Sequence, residues 1–272
     1  MYNVASLIVR QYSLGAGTMF NNKVVLVTGA SSGIGASCAM KFAELNASLS
    51  LIGRNVNKLN ETASSCEQIC GRKPLTIVAD ITNIDDIERI INNTLNKYGK
   101  IDVLVNSAGV SSLAGIQPDI EAFDYVMASN LRGPYLLTTK IIPHLIETRG
   151  NIVNISSMLS FKPLPAMTAY CMSKAAIDMF SKCLALELGP KGVRVNTVNP
   201  GPVRTPLFTT SGMKESDVKA MFRIVESNAP LRIVTEATDV ANIVTFVASE
   251  SARCVTGCSY FVDSGLSLGD AK

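Results

Sequence analysis

Short apolar runs recur along this chain at regular intervals. Lys23 to Thr28 (KVVLVT) is apolar without alternation, the pattern of a strand buried on both faces. Comparable runs at Ala47 to Gly53, Leu75 to Ala79, Ile101 to Val105, Ile152 to Ile155, Gly192 to Val198 and Ser259 to Val262 predict six further strands. Between them the apolar positions return every three to four residues, which predicts helices. These cover the segment after Gly35 (ASCAMKFAELN), Val56 to Cys70, Ile84 to Tyr98 closed by Gly99, Glu121 to Glu147, the segment opening at Ala169, Glu215 to Ser227 and Asp239 to Ser249. Pro134 and Pro143 predict kinks in the long fourth helix, and Pro163 and Pro165 forbid helix in the loop before Ala169. Strand and helix alternate to the end, without a domain boundary, repeat or low-complexity segment. That order predicts an α/β fold, a parallel sheet covered by helices on both faces. Residues 206–235 are the longest irregular piece, and a loop of that length at the strand C-termini is usually functional. The expected organisation is an extension over residues 1–20 and one domain over 21–272, with a substrate lid at about 203–235.

Composition narrows the partners. The 272 residues are 47% hydrophobic and 17% charged, ample for one large buried core. A net charge of +3 without a dense Lys/Arg run argues against nucleic acid. No apolar stretch is long enough to span a bilayer. The 7 Cys have spacings that fit neither a zinc site nor a disulfide framework, and read as buried reduced thiols. The single His, His144, falls inside a helix far from any nucleophile, which excludes a Ser-His-Asp hydrolase and a multi-His zinc site. Residues 1–20 contain Arg10 and no acid, and the first acid of the chain is Glu44. The leading reading is a disordered extension on a cytoplasmic protein; the alternative is a mitochondrial transit peptide.

Candidate chemistry sits at the strand ends. Gly29-Ala30-Ser31-Ser32-Gly33-Ile34-Gly35 lies between a strand and a helix, where glycines and a helix N-terminus make a phosphate cradle. The second strand ends at Gly53-Arg54 with no acid to bind a ribose 2′-hydroxyl, so Arg54 suits a 2′-phosphate. Asp80 can accept from an adenine amino group, or cap the helix beginning near Asn83. The small residues of Asn106-Ser107-Ala108-Gly109 leave room for a ring against backbone. Asn130 is disfavoured in mid-helix and is either exposed filler or functionally placed. Tyr170 and Lys174, four residues apart, share a helix face. A neighbouring ammonium favours the phenolate and so lowers the phenol's pKa. Ser157, at the end of the fifth strand, can hold the oxygen that receives Tyr170's proton.

Together these residues resemble the short-chain dehydrogenase/reductase family over about residues 20–268. Thr28-Gly29-x-x-x-Gly33-Ile34-Gly35 matches the family's cofactor turn, and Asn106-Ser107-Ala108-Gly109 its Asn-Asn-Ala-Gly motif with Ser in second place. Asn130, Ser157, Tyr170 and Lys174 match its catalytic tetrad, including the thirteen-residue step from Ser to Tyr, and Pro200-Gly201 with Thr205 matches its nicotinamide-side motif. Ser264 stands where Gly is usual. The resemblance implies a Rossmann-type doubly wound sheet of seven strands in the order 3-2-1-4-5-6-7. It implies hydride transfer between a nicotinamide and a carbonyl or secondary alcohol, and a homodimer or homotetramer. Tyr170 is then the general acid–base, Lys174 holds the nicotinamide ribose, Ser157 binds the substrate oxygen, and Asn130 positions a relay water. Cofactor contacts are expected from Gly29, Ser31, Ser32, Gly33, Ile34, Gly35, Arg54, Asp80, Ile81, Asn106, Ala108, Gly109, Pro200, Gly201, Val203 and Thr205, with Tyr170 and Lys174. NADP(H) is the preferred cofactor on the strength of Arg54, with NAD(H) the alternative. The apolar loop after Ser157 and the segment after Thr205 predict a hydrophobic substrate, steroid-, retinoid- or 3-oxoacyl-like. The competing reading is a cofactor-binding sensor or scaffold without turnover.

Overall fold

The computed structural model describes residues 19–269 apart from 114, 117 and 118; the extension over residues 1–20 lies almost wholly outside them. Seven strands form one sheet in the order β3-β2-β1-β4-β5-β6-β7, every neighbour parallel. They are β1 (Val24–Thr28), β2 (Ser48–Gly53), β3 (Leu75–Val78), β4 (Val103–Asn106), β5 (Asn151–Ile155), β6 (Arg194–Pro200) and β7 (Ser259–Val262). The inner strands β1, β4 and β5 are buried along their whole length, which is why their sequences do not alternate. Ser50 is the exception in β2: it is fully buried, and its hydroxyl pairs with that of Thr94 at 2.8 Å.

Helices α1 (Gly33–Glu44), α2 (Val56–Cys70), α3 (Ile84–Tyr98), α4 (Ile120–Met127), α5 (Gly133–Thr148), α6 (Thr168–Leu188), α7 (Leu207–Thr210), α8 (Glu215–Asn228) and α9 (Ala237–Ala248) supply the layers. Phe42, Leu59 and Val244 of α1, α2 and α9 pack one face of the sheet; Ile87, Ile141 and Leu184 of α3, α5 and α6 pack the other. Each such side chain, fully buried, stabilises the fold by about 1.5–3 kcal/mol. Asn55 and Asn83 start α2 and α3 by accepting from the N–H groups of Lys58 and Asp85. Gly99 ends α3 in the left-handed region, φ 75°, with open space around it, so backbone freedom rather than crowding selects glycine there. Among the described residues no helix is long and apolar enough to cross a membrane.

The structure departs from the sequence expectations in several places; β4, for one, runs Val103–Asn106 rather than Ile101 to Val105. The long helix from Glu121 is interrupted: Ala128–Arg132 form a π-turn between α4 and α5, so Asn130 lies in neither helix. β6 begins at Arg194 rather than Gly192 and runs on to Pro200, because Arg194 anchors it by donating to the carbonyls of Val247, Val255 and Ser249. The cysteines are not uniformly buried. Only Cys38 and Cys66 are, and burial pushes both thiols up to about 12; Cys183, Cys254 and Cys258 are exposed.

Candidate active site

The C-terminal ends of the strands open into a crevice of about 680 Å³. The cradle after β1 forms its floor. Gly29 has φ +68°, and a Cβ there would stand 2.8 Å from the Ala108 Cα. A Cβ at Gly35 would lie 2.3 Å from the Gly29 carbonyl oxygen, so that turn closes only with glycine. Thr28 binds the floor to the next strand end: its hydroxyl accepts from the N–H groups of Ser107 and Ala108 at 3.0 and 3.1 Å. Helix α1 then starts at Gly33 with no acid in its first turn, leaving its positive end open to an anion. A turn closed to side chains below an open helix end fits the pyrophosphate of a dinucleotide.

Arg54, Asp80 and Ile81 line one end of the crevice. The Arg54 side chain is 55% exposed and donates to Asp80 and to the Tyr125 hydroxyl, both at 3.5 Å. Burial raises the Asp80 pKa, but the N–H and hydroxyl of Thr82 and the Arg54 charge outweigh it and hold the carboxyl below its usual value. Asp80 does not cap α3; Asn83 does. Lys58 and Tyr125 also line this end and were missed in the sequence. Lys58 had a signal, one turn into the helix that follows Arg54, whereas nothing local marks Tyr125.

Ser157, Tyr170 and Lys174 meet at the other end, each less than a tenth exposed. Ser157 leaves β5 in extended backbone, its hydroxyl accepts from the Leu159 N–H at 3.1 Å, and it lies close enough to the phenol to draw its pKa down. Tyr170 lies in the first turn of α6, and the Lys174 ammonium sits 5.5 Å from its ring centre. That ammonium donates to the Ile155 carbonyl at 2.8 Å. Burial pushes Lys174 down to about 8 against the opposing field of Asp178. Burial pushes the phenol up to about 12, with the Ser157 bond pulling the other way. The expectation that Lys174 lowers the phenol is therefore not met here: desolvation dominates at Tyr170, and the lowering contribution comes from Ser157.

Two expected site residues do not line the crevice. Asn106 points into the sheet, where its amide donates to Asn154 at 2.8 Å and Thr138 at 3.0 Å. Asn130 stands behind the wall; the π-turn aims its amide at Val110, accepting from the N–H and donating to the carbonyl, both at 2.8 Å. Gly109 separates it from the crevice, where a Cβ would come 3.4 Å from the Asn130 Oδ1 and 3.6 Å from the Lys174 Nζ. The remaining expected residues, from Gly29 to Thr205, line the crevice.

The upper walls are apolar. Met158, Leu159, Leu164 and Met167 enter from the loop after β5, and Leu207, Phe208, Met213 and Met221 from the segment after Thr205. Phe161 and Phe222 do not join them: Phe161 is 75% exposed against Phe261, and Phe222 is buried beneath Phe208 and Arg204. Of the nearby cations, Lys162 donates to the Leu266 carbonyl and Arg204 pairs with Glu236.

A doubly wound sheet with a dinucleotide cradle and a Ser/Tyr/Lys cluster at its edge defines a nicotinamide oxidoreductase of alcohols and carbonyls. Residues 29–267 match the family described as enoyl-(acyl carrier protein) reductase. A glucose 1-dehydrogenase of Gluconobacter oxydans is 35% identical, covering 92% of this chain and 93% of its own. A 3-oxoacyl-(acyl-carrier-protein) reductase of Thermotoga maritima is 34% identical, covering 90% and 97%. The crystal structure of a short-chain dehydrogenase/reductase of unknown function from Caenorhabditis elegans, solved with cofactor, superposes with a TM-score of 0.88 at 33% identity, covering 92% and 97%. The chain belongs to the short-chain dehydrogenase/reductase family.

The Lys174 shift has a consequence for stability. Between about 8 and the ordinary lysine value of 10.5, the unfolded chain holds a proton that the folded protein has released, so this group makes stability rise with pH across that window. Tyr170 acts oppositely, but only above its ordinary value of 10.0. Urea unfolding of wild type and Lys174→Met at about pH 8 and about pH 10 checks this. The wild type should gain stability relative to the variant as pH rises, and parallel pH dependences would refute the shift.

Proposed function

We propose that this protein interconverts a hydrophobic carbonyl compound and its secondary alcohol with NADP(H). The observation that carries the reading is the meeting of the Ser157 hydroxyl, the Tyr170 phenol and the Lys174 ammonium beneath apolar walls. When bound, the nicotinamide gives or takes the hydride. Tyr170 hands a proton to the substrate oxygen in reduction and takes it back in oxidation. Its raised pKa keeps it protonated at neutral pH, the form that donates. Ser157 holds the substrate oxygen against that phenol. Lys174 holds the nicotinamide ribose by its ammonium, and Asn130 positions a relay water, its amide fixing the Val110 backbone that lines the crevice. Arg54 and Lys58 would bind a 2′-phosphate at the far end of the crevice. Self-association into a dimer or tetramer belongs to the same reading, supported by the exposed apolar side chains Tyr135, Met179 and Leu186 on α5 and α6.

The names of the relatives include both sugars and an acyl chain. Eight apolar side chains on the upper walls, four of them Met, and two neighbouring cations committed elsewhere support the acyl-like or polycyclic substrate.

Tyr170→Phe removes the transferable proton while keeping the ring. It should lower kcat by about 10²- to 10⁴-fold with NADPH affinity retained. Near wild-type turnover in that variant would sink the mechanism. Arg54→Ala should weaken NADPH by about 1.5–3 kcal/mol for each charge-assisted bond lost, and NADH far less. Equal kcat/KM with both cofactors in the wild type would contradict the preference. Along a series of straight-chain 3-oxoacyl esters, kcat/KM should rise by up to about 0.8 kcal/mol per added CH₂. A flat trend together with good turnover of a polyol would rule the apolar pocket out.

A further inference from the structure

Asn199 is wholly buried at the end of β6, outside the set of groups given roles above. Its amide nitrogen lies 2.9 and 3.2 Å from the two carboxylate oxygens of Asp178, 3.0 Å from the Ser160 hydroxyl and 3.2 Å from the Ser157 carbonyl oxygen. Two N–H bonds are thus shared among four oxygens of three residues, on α6 and on the turn after β5. Its own oxygen is fixed by the Thr197 hydroxyl at 2.8 Å, and that hydroxyl also meets Ser259 at 3.0 Å. Asp178 is half-buried on α6, one turn beyond Lys174 and on the same face.

We propose that Asp178 and Asn199 form a positioning clamp for the reaction: Asn199 sets Ser157 through its carbonyl, and Asp178 keeps Lys174 charged while holding Asn199 in place. Neither lines the crevice, and both act through Ser157 and Lys174. A brace between β6 and α6 needs only neutral hydrogen bonds, and partial burial of a carboxylate is costly. The charge gains a use because it lies one helical turn from a buried ammonium that donates to a backbone carbonyl and has no ion-pair partner among the described residues. Without that field, desolvation would push Lys174 further down. Around Tyr170 and Lys174, α6 itself presents Asp178 and Cys171, the loop after β5 presents Ser157, and the π-turn presents Asn130. β5 offers the Ile155 carbonyl and the loop after β4 offers Gly109. Beyond the pair itself, only Asp178 and Cys171 among these titrate.

This rests on the reading of Tyr170 as proton donor, and the test separates the two. Asp178→Asn keeps shape and removes charge; Asp178→Glu keeps charge and changes reach. Lys174 is titrated in the cofactor-free protein by NMR of isotope-labelled lysine, its signal identified by loss in Lys174→Arg. Turnover is followed as NADPH oxidation with whichever 3-oxoacyl ester the wild type reduces fastest. In Asp178→Asn, Lys174 should titrate at lower pH and kcat should fall by up to about 10²-fold, with the KM for NADPH within about threefold. In Asp178→Glu, Lys174 should titrate as in the wild type while kcat still falls. An unmoved Lys174 titration in Asp178→Asn overturns the clamp, as does wild-type kcat in that variant. If Asp178→Asn fails to fold, Asp178→Glu decides alone, and wild-type kcat there overturns the proposal. A fully active Tyr170→Phe would mean that the mechanism has failed; an inactive Tyr170→Phe beside an unaltered Asp178→Asn would mean that only the clamp has.

Discussion

A parallel sheet runs out of hydrogen-bond partners at its C-terminal edge, and that edge is where this protein keeps its crevice. Backbone groups there must be satisfied without filling the space above them. Side chains do it. Thr28 accepts from the N–H groups beyond β4, Asn130 closes both polar groups of Val110, and Lys174 and Asn199 take the carbonyls of Ile155 and Ser157. Each is buried, so each bond is worth more than it would be in water and is costly to lose. The crevice stays open because its rim is held from behind.

The same economy explains why fold and chemistry cannot be separated in these residues. Lys174 is at once the partner of a strand-end carbonyl and a charge 5.5 Å from the Tyr170 ring. Ser157 turns the backbone out of β5, caps the turn that follows and draws the phenol's pKa down. Substitution at either position disturbs the edge of the sheet together with the proton path, so loss of activity alone says little about role.

Much of this was legible in the sequence. Non-alternating apolar runs gave the strands to within about two residues, because strands buried on both faces have no choice but to be apolar. Glycines and asparagines marked the helix ends for conformational reasons that are local. Apart from Asn106 and Asn130, the expected residues from Gly29 to Thr205 come together along one crevice because their spacing is tied to strand ends. What escaped depends on distance through space. Asn106 belongs to a buried network with Thr138 and Asn154, thirty-two and forty-eight residues away, and nothing local announces it. Tyr125 reaches Arg54 across the crevice. The direction of the Tyr170 shift follows from how much protein surrounds the phenol, which the Tyr-x-x-x-Lys spacing does not encode.

The π-turn at Ala128–Arg132 marks a point where chain length, not side-chain identity, controls the site. It amounts to one residue more than a regular helix would hold between α4 and α5. Removing a residue there would let the two helices fuse into a better hydrogen-bonded rod, and would rotate one against the other by about 100°. Asn130 would swing away from Val110 while the backbone hydrogen bonding became more regular. In lineages of this chain, insertions and deletions in this short stretch should therefore be far rarer than substitutions, and a shortened variant selected for heat resistance would gain order at the expense of its chemistry.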